Sequence, residues 1–152
     1  MKQDHLHALI SQHITSVNYL ETDTIEAVEG ACTLWGYHDC TFIMEFAHAD
    51  LNDDNIVPVL QKLSDKLTWL NQHRAEILDV AFAESEFSGC LKAERSQIEQ
   101  EIYPLYCAFF IESEQEIFCD FALAAVDGSM GDWFAELSLE EDNELIFNGM
   151  EQ

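Results

Sequence analysis

The stretch Asp53–Phe82, DDNIVPVLQKLSDKLTWLNQHRAEILDVAF, decides how the chain reads. Within it Leu60, Leu63, Leu67, Leu70, Ile77 and Ala81 recur at steps of three, four or seven, which lines them up on one side of an α-helix. Gln61, Lys62, Asp65, Lys66 and Gln72 fall elsewhere on that helix. Asp53, Asp54 and Asn55 supply a capping side chain and negative charge at its start, and Pro58 is tolerated only in a first turn. About 26 helical residues at about 1.5 Å each would reach about 39 Å, so a break is expected near Asn71–Arg74, where polar residues interrupt the stripe. Lys62, Lys66 and Arg74, half of the Lys and Arg in the protein, lie in this segment. The chain on either side is acidic and reads as strand, so this is the helix on which a sheet packs.

Working outward, Lys2–Ile14 predicts a short helix with Leu6, Leu9, Ile10 and Ile14 facing inward. Ile25–Trp35 and Cys40–Ala47 read as two strands joined through Gly36–Asp39, with Cys40, Phe42, Met44 and Phe46 on one face. After the main helix, AESEFSGC is a loop, Leu91–Ile102 a second surface helix, and Pro104 its end. Tyr106–Ile111 and Ile117–Val126 form a hairpin, with Ile117, Cys119, Phe121, Leu123 and Ala125 sharing the core face. A turn-rich loop leads to Trp133–Leu139, with Trp133, Ala135, Leu137 and Leu139 inward, and then to a short strand, Leu145–Phe147. The expected fold is α+β over residues 1–152 as one domain. It has a mainly antiparallel sheet of about five to six strands packed on one long central helix, with one or two shorter helices.

The net charge of −24 is unevenly laid out. Gln3–Gln61 holds ten acids and no Lys or Arg, Lys62–Arg95 six acids and five bases, and Ser96–Gln152 fourteen acids and again no Lys or Arg. Such a field disfavours nucleic acid and anionic membranes as partners, because both are held by Lys and Arg. It favours a basic protein and speeds encounter with one. The five cysteines are odd in number with no C-x-x-C spacing, and Met1–Ile14 lacks the apolar core of a signal peptide. A reduced, cytoplasmic protein is the expectation.

Catalytic motifs are scarce: no phosphate-cradling glycine loop, no G-x-S-x-G and no H-E-x-x-H. His38-Asp39-Cys40 reads as a turn His and Asp followed by a strand Cys, since neighbours in a strand point to opposite faces. His5, His7 and His13 miss the spacing of helical metal ligands, and Asp50, Asp53, Asp54 and Asn55 lack the glycine and closing Glu of a calcium loop. No catalytic residue, metal ligand or cofactor is assigned. The rival reading is a small metal-dependent hydrolase using His48, Asp50 and nearby acids. An adaptor for a basic housekeeping protein is another. Aromatics interleaved with acids suit a protein-binding patch, with rings as anchors and carboxylates steering. The candidate partner-binding residues are Trp35 and Tyr37 at the hairpin tip, with Asp127, Asp132, Phe134, Glu136, Glu140, Glu141, Asp142 and Glu144 in the C-terminal segment.

The early hairpin with VEGACTLWG and CTFIMEF, the helix containing KLTWL, and the closing series FALAAVDGSMGDWFAELSLEEDNELIF together carry a resemblance. The layout resembles small acidic α+β domains of unknown function encoded beside bacterial polymorphic toxins, many of them identified as immunity proteins. Some relatives have a Gly-His pair where this chain has Gly131-Asp132, so no role of that histidine carries over. The resemblance implies one-to-one binding of a secreted toxin domain, often a basic nuclease, inside the producing cell. The expected function is stoichiometric occlusion of that domain, without turnover.

Overall fold

The computed structural model describes residues 1–24, 26–47, 49–126 and 128–152. The strands are β1 (Val17–Thr24), β2 (Ala27–Leu34), β3 (Tyr37–Glu45), β4 (Ile102–Ile111), β5 (Ile117–Ala125), β6 (Phe134–Leu139) and β7 (Leu145–Glu151), whose successive side chains point to opposite faces. Among the described residues these seven form one sheet in chain order, β1-β2-β3-β4-β5-β6-β7. Every pairing is antiparallel except β3 with β4, where Thr41 faces Tyr106 and Met44 faces Phe109. A parallel pair needs a crossover, and the helices α2 (Ile56–Gln72), α3 (Arg74–Ala83), α4 (Ser85–Cys90) and α5 (Arg95–Ile98) provide it. Helix α1 (Gln3–His13) precedes the sheet.

All of these helices lie on one face. The core joins Leu6 and Ile10 of α1, Leu60, Leu63, Leu67 and Leu70 of α2, and Ile77, Leu78 and Ala81 of α3 to a single set of strand positions. That set includes Cys40, Phe42 and Met44 of β3, Cys107, Phe109 and Ile111 of β4, Cys119, Phe121 and Leu123 of β5, and Ala135, Leu137 and Leu139 of β6. The expected inward registers of the strands ending in Met44, Leu123 and Leu139 are therefore the observed ones. Trp133 is the exception: it precedes β6 and is exposed.

Five expectations need correction. The sheet has seven strands, not five to six, because β1 was not expected. Its alternation is broken by a bulge: Val17 pairs with Cys32 but Tyr19 pairs with Ala31, so a period of two is lost after the first residue. The long central helix is two helices, interrupted at His73 (φ −118°, ψ 32°) within the expected break region. There the ring stacks on Trp69 at 4.0 Å and its Nδ1–H donates to the Trp69 carbonyl at 2.7 Å, satisfying an orphan acceptor at the end of α2. The start of α2 is also different: its N-cap, Asn55, makes no side-chain cap bond, Asn52 Oδ1 accepts the Asp54 and Asn55 amides of the preceding turn, and Asp53 pairs with His5 Nε2 at 3.1 Å. Further on, AESEFSGC contains α4 with buried Phe87, and the helix expected over Leu91–Ile102 is only α5 and a 3₁₀ turn, Glu99–Glu101. Among the described residues no helix is long and apolar enough to cross a membrane.

Gly30 shows how tightly the bulge is fitted. A Cβ there would stand 2.0 Å from the Tyr19 carbonyl oxygen, a backbone atom that moves only if β1 moves. Gly30→Ala should therefore destabilise the protein by about 1–3 kcal/mol, as overpacking does. Urea denaturation monitored by circular dichroism measures this; an unchanged midpoint would show that β1 shifts freely.

Candidate protein-binding face

Because the crossover puts every helix on one side, the other side of the sheet is left without a covering layer. Ala31, Ala108, Ala122 and Ala124 are buried there, yet none belongs to the helix-side core. They are short enough to sink between larger neighbours and form a low floor. Above it rise Tyr19, Phe118 and Ile146, exposed at 55%, 50% and 39%, and the half-buried Ile43, Tyr106 and Phe110. Cross-strand register makes several of them neighbours. Phe110 pairs with Phe118 on β5 and lies beside Glu45 on β3, while Ile43 lies beside Ala108 and Ile146 beside Ser138.

A polar chain stiffens the middle of this face. The Tyr106 hydroxyl donates to Glu136 Oε2 at 2.5 Å, and its ring meets Phe134 edge-on at 6.1 Å. Ser138 Oγ donates to Asp120 Oδ1 at 2.6 Å and accepts from Asn148 Nδ2 at 2.7 Å. Burial, reinforced by the Glu136 carboxylate, pushes the Tyr106 phenol well above the ordinary tyrosine range.

At the end of the face that carries the β4–β5 and β6–β7 turns, an open groove of about 570 Å³ is lined by Glu116, Phe118, Glu140, Glu141, Asp142, Glu144 and Ile146. No ion pair with Lys or Arg within 4 Å involves these carboxylates; among the described residues such pairs are made by Arg95 alone, with Asp79 and Glu99. The reason lies in where the bases are. Lys2 precedes α1, Lys62 and Lys66 are on α2, Arg74 opens α3, Lys92 follows α4 and Arg95 opens α5. The strand regions 17–45 and 102–151 hold eighteen acids and no Lys or Arg. Several bases that do approach the turns bind backbone. Lys66 Nζ donates to the Glu140 and Glu141 carbonyls at 2.7 and 2.9 Å and to Asn143 Oδ1 at 2.8 Å, and Lys62 Nζ donates to the Glu114 carbonyl at 2.6 Å. The turns are thus clamped to α2 through their main chain, and their carboxylates project into solvent. Burial draws the Lys66 ammonium below the ordinary lysine range, with Cys119, Glu141, Asp142 and Glu140 pulling the other way.

The residues expected to bind a partner do not form one patch. Glu140, Glu141, Asp142 and Glu144 line the groove, and Glu136 and Phe134 lie on the open face. Trp35, Tyr37 and Asp132 lie at the opposite end of the sheet, by register. Trp35 serves the fold: with Gly36 it forms a turn in which both residues have positive φ (55° and 76°), as a tight hairpin requires. Its backbone N–H donates to Asn71 Oδ1 and its Nε1–H to the Leu70 carbonyl, both at 2.8 Å, and Arg74 stacks over the ring at 5.5 Å. Tyr37 packs on Tyr103 at 4.8 Å. Asp127, like His48, lies outside the described residues. Phe110, Phe118, Asp120 and Ile146 were missed, although the inward assignment of Cys119 and Phe121 already implied that Phe118 and Asp120 point the other way.

The possible chemistry of the cysteines and histidines takes a structural form. Cys40 is opposite Cys32, and the neighbouring thiol together with burial pushes its own thiol far above the reactive range. Cys107 and Cys119 do the same, with their sulfurs 3.9 Å apart. His38 Nδ1 is 3.0 Å from Thr33 Oγ1. Among the described residues no three His, Cys, Asp or Glu side chains are grouped to hold a metal ion. Comparison with family models, curated proteins and solved structures gives no match to this chain.

Two substitutions test this geometry. Lys66→Met should cost about 1–2 kcal/mol through loss of charge-assisted hydrogen bonds, and should speed amide exchange selectively in the Glu140–Glu144 turn. Slow exchange there would mean that the turn holds itself. For Tyr106, the raised phenol pKa means that the folded state keeps a proton that the unfolded chain releases near pH 10. Its contribution is complete below about pH 10 and declines as the pH rises further. Tyr106→Phe should flatten the alkaline fall in stability, leaving the smaller part due to Tyr37, whose phenol burial also raises. Denaturation midpoints at a series of alkaline pH values give the comparison.

Proposed function

We propose that this chain is an immunity-type inhibitor that binds a basic toxin domain inside the producing cell and neutralises it by covering its cationic surface. The observation that carries the reading is the segregation of charge. All Lys and Arg lie in or beside the helical layer, the strands and their hairpin turns contain none, and the two lysines that reach the turns, Lys62 and Lys66, bond main-chain carbonyls and Asn143 there and not the carboxylates. A surface of one sign beside exposed rings steers an oppositely charged protein and then holds it by desolvation. The resemblance to acidic domains encoded beside polymorphic toxins points the same way. Inhibition by occlusion needs no turnover. It asks only that the carboxylates be displayed rigidly, which the Lys66 and Lys62 clamps favour.

The test is protection. The basic C-terminal domain of the secreted protein encoded beside this chain should be toxic when expressed alone and harmless when coexpressed with it. Replacing Glu140, Glu141 and Glu144 with Lys should abolish protection while leaving the fold intact. In the purified complex, raising ionic strength from about 0.01 M to 0.15 M shortens the Debye length from about 30 Å to about 8 Å. The association rate should then fall about tenfold or more, with a much smaller change in dissociation. A salt-independent association rate would rule out charge steering, and a toxin that kills despite coexpression would rule out the function.

A further inference from the structure

The uncovered face is not uniformly acidic, and its apolar part is organised. Phe110 and Phe118 are directly paired across β4 and β5, Ile43 lies on β3 and Ile146 on β7, and together they make an apolar stripe that Asp120 and Ser138 interrupt between Ala108 and Ile146. Phe118 and Ile146 are among the most exposed large apolar side chains of the protein, although each sits in a regular strand. Carboxylates border the stripe: Glu45 beside Phe110, and the groove acids beside Phe118 and Ile146.

We infer that this stripe is the centre of the interface and that it takes an amphipathic basic segment of the partner protein, one whose apolar side chains lie on Phe110, Phe118 and Ile146 while flanking Lys or Arg reach the bordering carboxylates. The inference rests on the functional reading above and narrows it, because charge alone does not require the stripe. A purely cationic segment would leave Phe118 and Ile146 in water. A second copy of this chain would bring two acidic borders together, and an anionic lipid surface or a nucleic acid would be repelled by them. An occupant that is apolar in the middle and cationic at its edges matches both parts of the face.

The test titrates the full-length chain calorimetrically with two peptides of equal positive charge, an amphipathic Lys/Leu helix and an oligolysine. The amphipathic peptide is expected to bind about tenfold tighter or more. Phe118→Ser and Ile146→Ser, at exposed positions where folding is checked by circular dichroism, should bring it down to the oligolysine level and leave oligolysine binding unchanged. Equal affinities for the two peptides, or indifference to both substitutions, would overturn the inference while leaving the charge-based function standing. Failure of both peptides to bind would overturn the inference, while the charge-based function is judged separately by protection on coexpression. Concentration-dependent self-association abolished by Phe118→Ser would assign the stripe to a second copy and also overturn it.

Discussion

The structure depends on burial being possible on one side only. The apolar stripe of α2, continued by α3, requires a sheet face, and the single parallel junction between β3 and β4 confines the crossover helices to that face. Leu60, Leu63 and Leu70 are completely buried against it. Once that layer is formed there is no helix left for the other face, so the strands must alternate between a continuous core and a surface that meets water. The alanines of that surface are what remains when a strand position is neither packed under a helix nor free to project far.

The same constraint sorts the charge. Long cationic side chains are accommodated on the helical layer, where Arg74 reaches the carbonyls of Glu99 and Ile102 and Lys66 those of the β6–β7 turn. Backbone carbonyls accept such bonds without neutralising any carboxylate. Few ion pairs form, and the excess negative charge of the strands stays uncompensated. The negative charge is thereby concentrated in the strand regions, where eighteen acids face no Lys or Arg in sequence, while the twelve acids elsewhere are partly offset by the six bases.

Much of this was legible in the sequence wherever a period ran unbroken. Leu60 to Ala81 and Cys119 to Leu123 announced their faces because packing on a flat partner enforces a regular repeat. Legibility failed where local geometry interrupts the repeat. The bulge at Asn18–Tyr19 hid β1, and α4 was masked by the turn-like residues around Ser88 and Gly89, whereas the break at His73 falls where polar residues interrupt the stripe at Asn71–Arg74. The candidate site was legible in part: the cluster of acids in the β6–β7 turn is visible in the sequence, and that it lines a groove is not. Trp35 looks free at a hairpin tip until the element that accepts its Nε1–H, here the end of α2, is placed beside it.

The β3–β4 ladder has a consequence for how the chain reaches this state. Strands β1 to β3 pair with their neighbours in sequence, as do β4 to β7, so each meander assembles from short-range contacts. Thr41 and Tyr106 meet only after the intervening helical segment has closed a long loop, at an entropic cost that the short hairpins do not bear. Completion of the sheet is thereby tied to docking of α2, whose leucines reward the closure. Of the sheet's six junctions, the union of the two meanders carries the largest loop-closure cost.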